Sequence, residues 1–237
     1  MWLFNSSIGR KVVMSVTGLC LIFFLLFHSV MNVVAVFSKD GYDWICHFLG
    51  TNAIVQFMVP ILALFFILHI IFSIILTLQN RKARGTDRYA MAGKSEVQWT
   101  AKNMFVLGLV ILGGIIWHLT HFWSEMQLQE WTGGESANGF DLILFQFSNL
   151  WIVILYLVWF IFIWLHLTHG FWSAFQTIGW NNAKWYKRLK TIGYIVATLI
   201  CVMFAFVAIA FYLKSTGAWD SVGAIWHLGG KNLSPVL

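Results

Sequence analysis

Five long apolar segments constrain this chain more than any other feature of its sequence. Of its 237 residues, 59% are hydrophobic and only 10% are charged, whereas soluble domains carry about 25% charged residues. A run of about 20 apolar residues crosses a bilayer as a helix. The first segment, at roughly 25 residues, is too long for the apolar part of a signal peptide, so we expect it to be retained. The sequence therefore predicts an all-α, multi-pass membrane protein.

The predicted chain is a single membrane domain over residues 1–237, with helices at about 12–37, 53–78, 101–123, 145–176 and 191–213. Two prolines in the whole chain are compatible with long uninterrupted helices. We expect residues 38–52 to form a polar loop and 124–141 an acidic one. The segments 81–94 and 184–190 are basic, and a polar tail containing His227 follows the last helix.

The basic residues predict the orientation of the five helices. Twelve Lys and Arg residues lie on the side of the N-terminus, and three lie on the other side: Lys39, Lys214 and Lys231. Because positive residues favour the cytoplasmic side, we expect a cytoplasmic N-terminus and a periplasmic C-terminus. A net charge of +6 that is divided among separate loops does not predict nucleic-acid binding. These loops could instead dock an acidic cytoplasmic partner.

Histidines occur inside four of the five apolar segments, at His28, His69, His118 with His121, and His166 with His169. Ionisable residues are rare inside membranes and usually have a function there. At about 1.5 Å rise per residue, His28 and His118 lie roughly 6–9 Å to the outer side of the membrane centre. His69 and His166 lie roughly 4–6 Å to its inner side.

Two levels result, each with one histidine from each of two helices and roughly 12 Å apart. Each level could supply the two axial ligands of a six-coordinate haem. The second histidine of each His-Leu-Thr-His motif, His121 or His169, could be the ligand instead, or could bind a propionate or a quinone, or cap local polar groups.

Other metal chemistry fits less well. Zinc or non-haem iron would favour carboxylates or thiolates near the histidines, and the apolar segments have almost none. The three cysteines form no Cys-x-x-Cys motif and no c-type haem attachment motif. A histidine-containing transporter would be expected to carry intramembrane Asp or Glu, and none is present.

With these residues in place, the chain resembles the five-helix, di-haem, b558-type cytochrome b subunit of succinate dehydrogenase/fumarate reductase. The resemblance covers nearly the whole length. It rests on Phe27-His28-x3-Asn32, His47-Phe48, His69, Trp117-His118 and His166-x3-Gly170-Phe171-Trp172-Ser173.

The resemblance implies two haem b groups, with His28 and His118 as axial ligands of the distal haem and His69 and His166 of the proximal haem. It places Ser15 near a haem propionate, although a helix-packing role is an equal alternative. His47 could contribute to a quinone site or be an ordinary loop residue.

The implied partners are a flavoprotein and an iron–sulfur subunit on the cytoplasmic side, membrane lipid and a quinone, with menaquinone expected. The implied chain is a quinone-reactive electron-transfer subunit of the bacterial inner membrane with no dicarboxylate site of its own. A dimer of the whole complex stays an open alternative. Some family members use a glutamate in the first outer loop and another two residues before the helix-IV ligand. Here those places offer only Asp40 and Asp43, and Trp164, so their proton route is not carried over.

Two other functions stay open at this point. A cytochrome b of another respiratory complex, of the hydrogenase or formate dehydrogenase type, would use the same chemistry. A transporter or structural anchor without a cofactor would not use haem chemistry.

Overall fold

The computed structural model describes residues 6–84, 99–180 and 182–219. In these ranges all regular structure is helical, and five helices are long and apolar enough to cross a membrane. These five are α1 (Ser7–Phe37), α3 (Ala53–Arg84), α4 (Trp99–His118), α7 (Leu150–Thr177) and α8 (Ala183–Ser215). The expectation of an all-α protein with five membrane-length apolar helices is therefore confirmed for the described residues. Residues 85–98 of the first basic connection and His227 in the tail lie outside them.

The connection between the first two long helices is itself helical, which corrects the prediction of a polar loop at 38–52. Helix α2 spans Lys39–Thr51. Ser38 ends α1 and caps α2, because its side chain accepts a hydrogen bond from the Gly41 N–H. Asn52 does the same at the next junction, accepting from the N–H groups of Ile54 and Val55. One short polar residue at each junction thus satisfies one or two of the N–H groups that a new helix start leaves free.

The fourth apolar segment is two helices, where we predicted one over 145–176. Helix α6 (Gly139–Phe147) ends at Ser148, and α7 begins after Asn149, whose side chain accepts from the Trp151 N–H. The predicted acidic loop at 124–141 also contains the short helix α5 (Gln127–Thr132). Side-chain caps at Asn138 and Asn149 favour the starts of α6 and α7, and an apolar-run criterion does not detect them.

The long helices extend beyond most of the predicted ends. Helix α1 begins five residues earlier than predicted, α3 continues through the basic residues to Arg84, and α8 begins at Ala183 instead of 191. Asn182 caps α8 by accepting from the N–H groups of Lys184 and Trp185. The charged residues at these ends belong to the helices. The predicted boundaries stop short of them because those boundaries follow the apolar stretch alone.

Four of the long helices form a ring. Helix α1 packs against α3 and α7, α7 packs against α4, and α3 and α4 make only a narrow contact that closes the ring. The diagonal pairs are therefore α1 with α4 and α3 with α7. Helix α8 lies outside the ring, against α1 and most extensively against α7.

The close-packed core lies on the α1, α7 and α8 side of the molecule. Phe211 and Ile200 of α8, Tyr156 of α7 and Ala35 of α1 are almost fully buried. Helices α3 and α4, in contrast, bury only 6% of their most apolar windows. Many of their apolar side chains are exposed, as expected for helices in contact with lipid.

Candidate functional site

One pair of histidines meets across the first diagonal of the ring. His28 of α1 and His118 of α4 have ring centroids 6.1 Å apart and ring planes at 85°. Phe24 and Phe204 contact the His28 ring, and Phe122 and Trp159 contact the His118 ring. The predicted neighbours are therefore adjacent in space, inside an aromatic enclosure.

A second pair meets across the other diagonal. His69 of α3 and His166 of α7 have ring centroids 6.4 Å apart, with planes at 67°. Their helices do not pack extensively on one another, so the two side chains reach toward each other over the centre of the ring. Both predicted pairings are thus observed as contacts between imidazoles.

The separation of the two pairs follows from contacts along single helices. His69 contacts Thr17 of α1, and His28 lies eleven residues later on the same helix, or roughly 16 Å along its axis. On α4, a Cβ at Gly108 would meet His166, and His118 lies ten residues later, or roughly 15 Å away. The pairs are therefore somewhat farther apart than the roughly 12 Å estimated from span midpoints.

Two of the four histidines have a defined partner for one ring nitrogen. The Nδ1 atom of His69 lies 3.4 Å from the Thr17 hydroxyl, which already donates to the Val13 carbonyl at 2.8 Å. A protonated Nδ1 would donate to Thr17 and leave the lone pair of His69 on Nε2. The Nδ1 atom of His118 lies 3.2 Å from the Tyr156 hydroxyl. Metal-bound histidines are typically oriented in this way, through the nitrogen that does not bind the metal.

Five buried side-chain nitrogens within the described residues have no hydrogen-bond partner. They are Nδ1 of His121, His166 and His169, and Nε1 of Trp159 and Trp172. Buried polar groups are rarely left unpaired, and each exception calls for an explanation. His166 is a member of a pair, and Trp159 contacts the His118 ring. The other three residues lie up to two turns past His118 or His166 along the chain: His121, His169 and Trp172.

Glycines leave room beside the pairs. A Cβ at Gly18 would lie 3.2 Å from Cε1 of His69, and one at Gly108 would lie 3.9 Å from Cε1 of His166. At Gly114 a Cβ would overlap the indole of Trp159, which flanks His118. Small residues on α1 and α4 thus let large flat side chains approach the helix backbone closely.

The spacing of each pair fits an iron atom held between two imidazoles. A metal–imidazole bond of about 2.0–2.1 Å, as for zinc, plus about 1.1 Å from nitrogen to ring centre, gives a centroid separation of roughly 6.3 Å across one metal. The observed separations are 6.1 and 6.4 Å. Edge-to-face ring contacts fall in the same range, so the spacing is compatible with either arrangement.

Two facing imidazoles match the donor set that a porphyrin-bound iron takes from a protein. No group of three or more His, Cys, Asp or Glu placed to hold a metal ion occurs in the part of the chain that the structure describes. A haem iron needs only two axial ligands from the protein, because the porphyrin supplies the other four. Two facing imidazoles are sufficient for it.

The structure separates the second histidine of each motif from the pairs. His121 lies in a π-helical turn, Leu119–Trp123, with its ring edge-on to Trp117 at 4.9 Å. His169 lies one turn past His166, edge-on to Trp172 at 4.8 Å. Neither is in ring contact with the other member of its motif, and both keep an unpaired Nδ1.

The remaining candidates have local environments of their own. Ser15 is buried and donates to the Lys11 carbonyl one turn earlier, at 2.9 Å. His47 is exposed on α2. Trp164, at the place where some resembled proteins carry a glutamate, donates its indole N–H to Thr198 of α8 at 2.9 Å.

Sequence reasoning did not identify Thr17, Tyr156 or Trp159 as parts of the site. A depth estimate that included polar and aromatic residues could have found Tyr156 and Trp159, since they precede His166 by two to three turns on a helix that runs opposite to α4. Thr17 could have been found in the same way, because it lies three turns before His28 on a helix that runs opposite to α3.

Comparisons of this chain with models of known protein families, with curated proteins and with solved structures find no match.

Proposed function

We propose that this chain is a di-haem cytochrome b that carries electrons within the membrane. The observation that carries the proposal is the occurrence of two imidazole pairs, each facing across a diagonal of the helix ring at 6.1 and 6.4 Å. His28 with His118 and His69 with His166 are the axial ligands in this proposal. A haem b bound at each pair would supply one-electron redox chemistry.

The chain's own residues hold and isolate these sites. Thr17 contacts Nδ1 of His69, and Tyr156 contacts Nδ1 of His118. These contacts orient each imidazole so that its Nε2 atom can face the centre of the four-helix ring. The aromatic rings of Phe24, Phe204 and Trp159 limit the access of water to the His28–His118 pair. Such burial and hydrogen bonding are the means by which a protein adjusts a haem potential.

The more specific proposal is the membrane subunit of a succinate:quinone oxidoreductase, that is, a succinate dehydrogenase or fumarate reductase. Its support is the sequence resemblance, in particular His166-x3-Gly170-x-Trp172, and the two histidine pairs. In this role the chain anchors a flavoprotein and an iron–sulfur subunit at its basic cytoplasmic face. It passes electrons between the iron–sulfur subunit and a membrane quinone, for which we propose menaquinone, in a bacterial inner membrane.

An optical spectrum of the purified chain tests the central proposal. The dithionite-reduced protein should show a b-type α-band, with about two haems per chain. A colourless protein would rule the proposal out and favour a cofactor-free transporter or anchor. Isolation of the native complex tests the finer assignment, because co-purification with hydrogenase or formate dehydrogenase subunits would replace the succinate:quinone assignment.

Single substitutions test the pairing. His28→Leu and His118→Leu should each remove the same haem, and His69→Leu and His166→Leu the other. Each variant should keep about one haem per chain, because a six-coordinate iron needs a ligand on both faces. The exposed His47→Leu is the matched control and should keep both haems. Loss of different haems from His28→Leu and His118→Leu would contradict the pairing.

A further inference from the structure

A second group of unpaired donors lies just past the His69–His166 pair. Counting from His166 along α7, His169 is three residues farther and Trp172 six, or roughly 4.5 and 9 Å along the helix axis. Their rings pack edge to face, with centroids 4.8 Å apart. Nδ1 of His169 and Nε1 of Trp172 are both buried and have no hydrogen-bond partner. Two adjacent donors thus lack an acceptor at the same place.

The electrostatic surroundings favour a negatively charged acceptor. Lys190 of α8 lies within electrostatic range of the His169 ring. The only Asp or Glu residues in the connections at this end of the bundle are Asp87 and Glu96, which lie outside the described residues. A cation beside two N–H donors suits a carboxylate better than a neutral carbonyl, because hydrogen bonds to charged acceptors are the stronger ones.

We infer that His169 and Trp172 donate hydrogen bonds to a carboxylate of the prosthetic group held between His69 and His166, and that Lys190 balances its charge. Haem b carries two propionate carboxylates, which supply an acceptor type that the described residues at this end of the bundle lack. The inference rests on the proposed function and deepens it. It assigns the second histidine of the fourth-segment motif to binding the periphery of the cofactor instead of its iron.

Trp172→Phe, His169→Phe and Lys190→Met test the inference in the full chain with haem bound. Each variant removes a donor or a positive charge and leaves a carboxylate less well compensated. A more negative surrounding favours the oxidised, more positive iron. The midpoint potential of the haem at His69–His166 should therefore fall by up to about 59 mV. For a one-electron couple this is a tenfold change in the equilibrium constant of reduction. The other haem should keep its potential, and both should be retained.

Trp164→Phe is the matched control for Trp172→Phe. It removes an indole N–H from the same helix, but this N–H is already bound to Thr198. Both potentials should stay unchanged. Lys190→Met alters only a half-buried side chain on α8, so it tests the inference even if the aromatic variants fail to fold.

Three results would overturn the inference. The first is an unchanged potential of the His69–His166 haem in a folded variant that contains both haems. The second is a loss of quinone affinity with unchanged potentials, which would assign the two donors to a quinone. The third is abolition of the Trp172→Phe shift by a combined Asp87→Asn and Glu96→Gln background, which would make those side chains the acceptors. A wild-type protein without haem would instead refute the proposed function itself.

Discussion

At the scale of single residues, the paired histidines differ in the group that contacts their Nδ1 atom. Tyr156 contacts Nδ1 of His118 and Thr17 contacts that of His69, whereas Nδ1 of His166 has no partner. A hydrogen bond from Nδ1–H to an oxygen makes the imidazole a more basic ligand and stabilises the oxidised metal. Each pair therefore contains one histidine whose Nδ1 contacts a protein oxygen, and that contact should help to set the redox potential of its site.

Tyr156→Phe should raise the midpoint potential of the haem proposed at His28–His118, because with iron on Nε2 a protonated Nδ1 of His118 would lose the Tyr156 oxygen as its acceptor. We expect a rise of up to about 59 mV, a tenfold change in the equilibrium. Potentiometric titration followed at the α-band measures it. Tyr194→Phe is the control, since Tyr194 is exposed on α8 and contacts Trp164. A fall in potential, or an equal rise in the control, would contradict the assignment.

Cys46 of α2 is outside the membrane-spanning helices and has an unusual environment. Burial raises the pKa of its thiol, the Tyr42 hydroxyl lowers that pKa through a hydrogen bond, and the charges of Asp43 and Glu130 raise it. The thiolate, which is the reactive form, should therefore appear only at higher pH than in an ordinary cysteine.

In a Cys20→Ser, Cys201→Ser background, alkylation of Cys46 should have a midpoint above the ordinary thiol pKa of about 8.5. Its rate with a water-soluble maleimide, followed from pH 7 to 10, measures this midpoint. Tyr42→Phe removes the one contact that lowers the pKa and should not bring the midpoint down. A midpoint at or below about 8.5 in the parent would disprove the described environment of Cys46.

At the scale of elements, neighbouring glycines on α4 have different roles. The indole of Trp159 occupies the place where a Cβ of Gly114 would lie, whereas a Cβ at Gly113 would meet nothing within 4 Å. Gly114 thus allows α4 and α7 to approach closely beside His118. Gly113 is exposed, so glycine there contributes only its flexibility, which disfavours a helix interior.

Gly114→Ala should destabilise the protein by about 1–3 kcal/mol, because the added methyl overpacks against a large ring. It should also lower the occupancy of the His28–His118 haem site, since Trp159 must move. Gly113→Ala is a matched control that should be neutral or stabilising by up to about 1 kcal/mol. Thermal unfolding in detergent and haem content measure both effects. Similar losses in the two variants would show that the Gly114–Trp159 contact does not matter.

At the scale of the whole molecule, α3 and α4 each pack extensively on only one other helix of the ring, α1 and α7 respectively. Helices α3 and α4 contact each other only narrowly, and the imidazole pairs join each of them to the helix diagonally opposite. A group bound at each pair would therefore link helices that otherwise pack weakly. Bound cofactors stabilise the folded state that binds them, so α3 and α4 should depend on haem supply more than α8 does.

The orientation of the bundle is a prediction at this scale. A reporter that is active only outside the cytoplasm should be active when fused within residues 124–138 or after residue 219. It should be inactive when fused after residue 84. The physical reason is the excess of Lys and Arg on the side of the N-terminus. Fusion at all three places in cells that produce the protein tests this expectation, and the opposite pattern of activity would reverse the orientation.

The sequence alone predicted the five membrane helices and the depth of each histidine. Apolar length decides which segments can cross a bilayer, and a constant rise per residue places His28 level with His118 and His69 level with His166 on antiparallel helices. Depth carries no information about rotation around a helix axis. It therefore left the choice between His166 and His169, and between His118 and His121, open.

Only the tertiary structure decided which helices are neighbours and which side chains face one another. Segments that are apolar on all sides have no hydrophobic face to orient them, and their packing depends on shape and on small residues such as Gly18 and Gly114. The side-chain caps at Ser38 and Asn52 bound helix α2, where a loop was predicted. The cap at Asn149 begins α7 and so divides one predicted helix into α6 and α7. The diagonal meeting of the imidazoles is a product of that packing, since it requires both the ring order and the rotation of every helix.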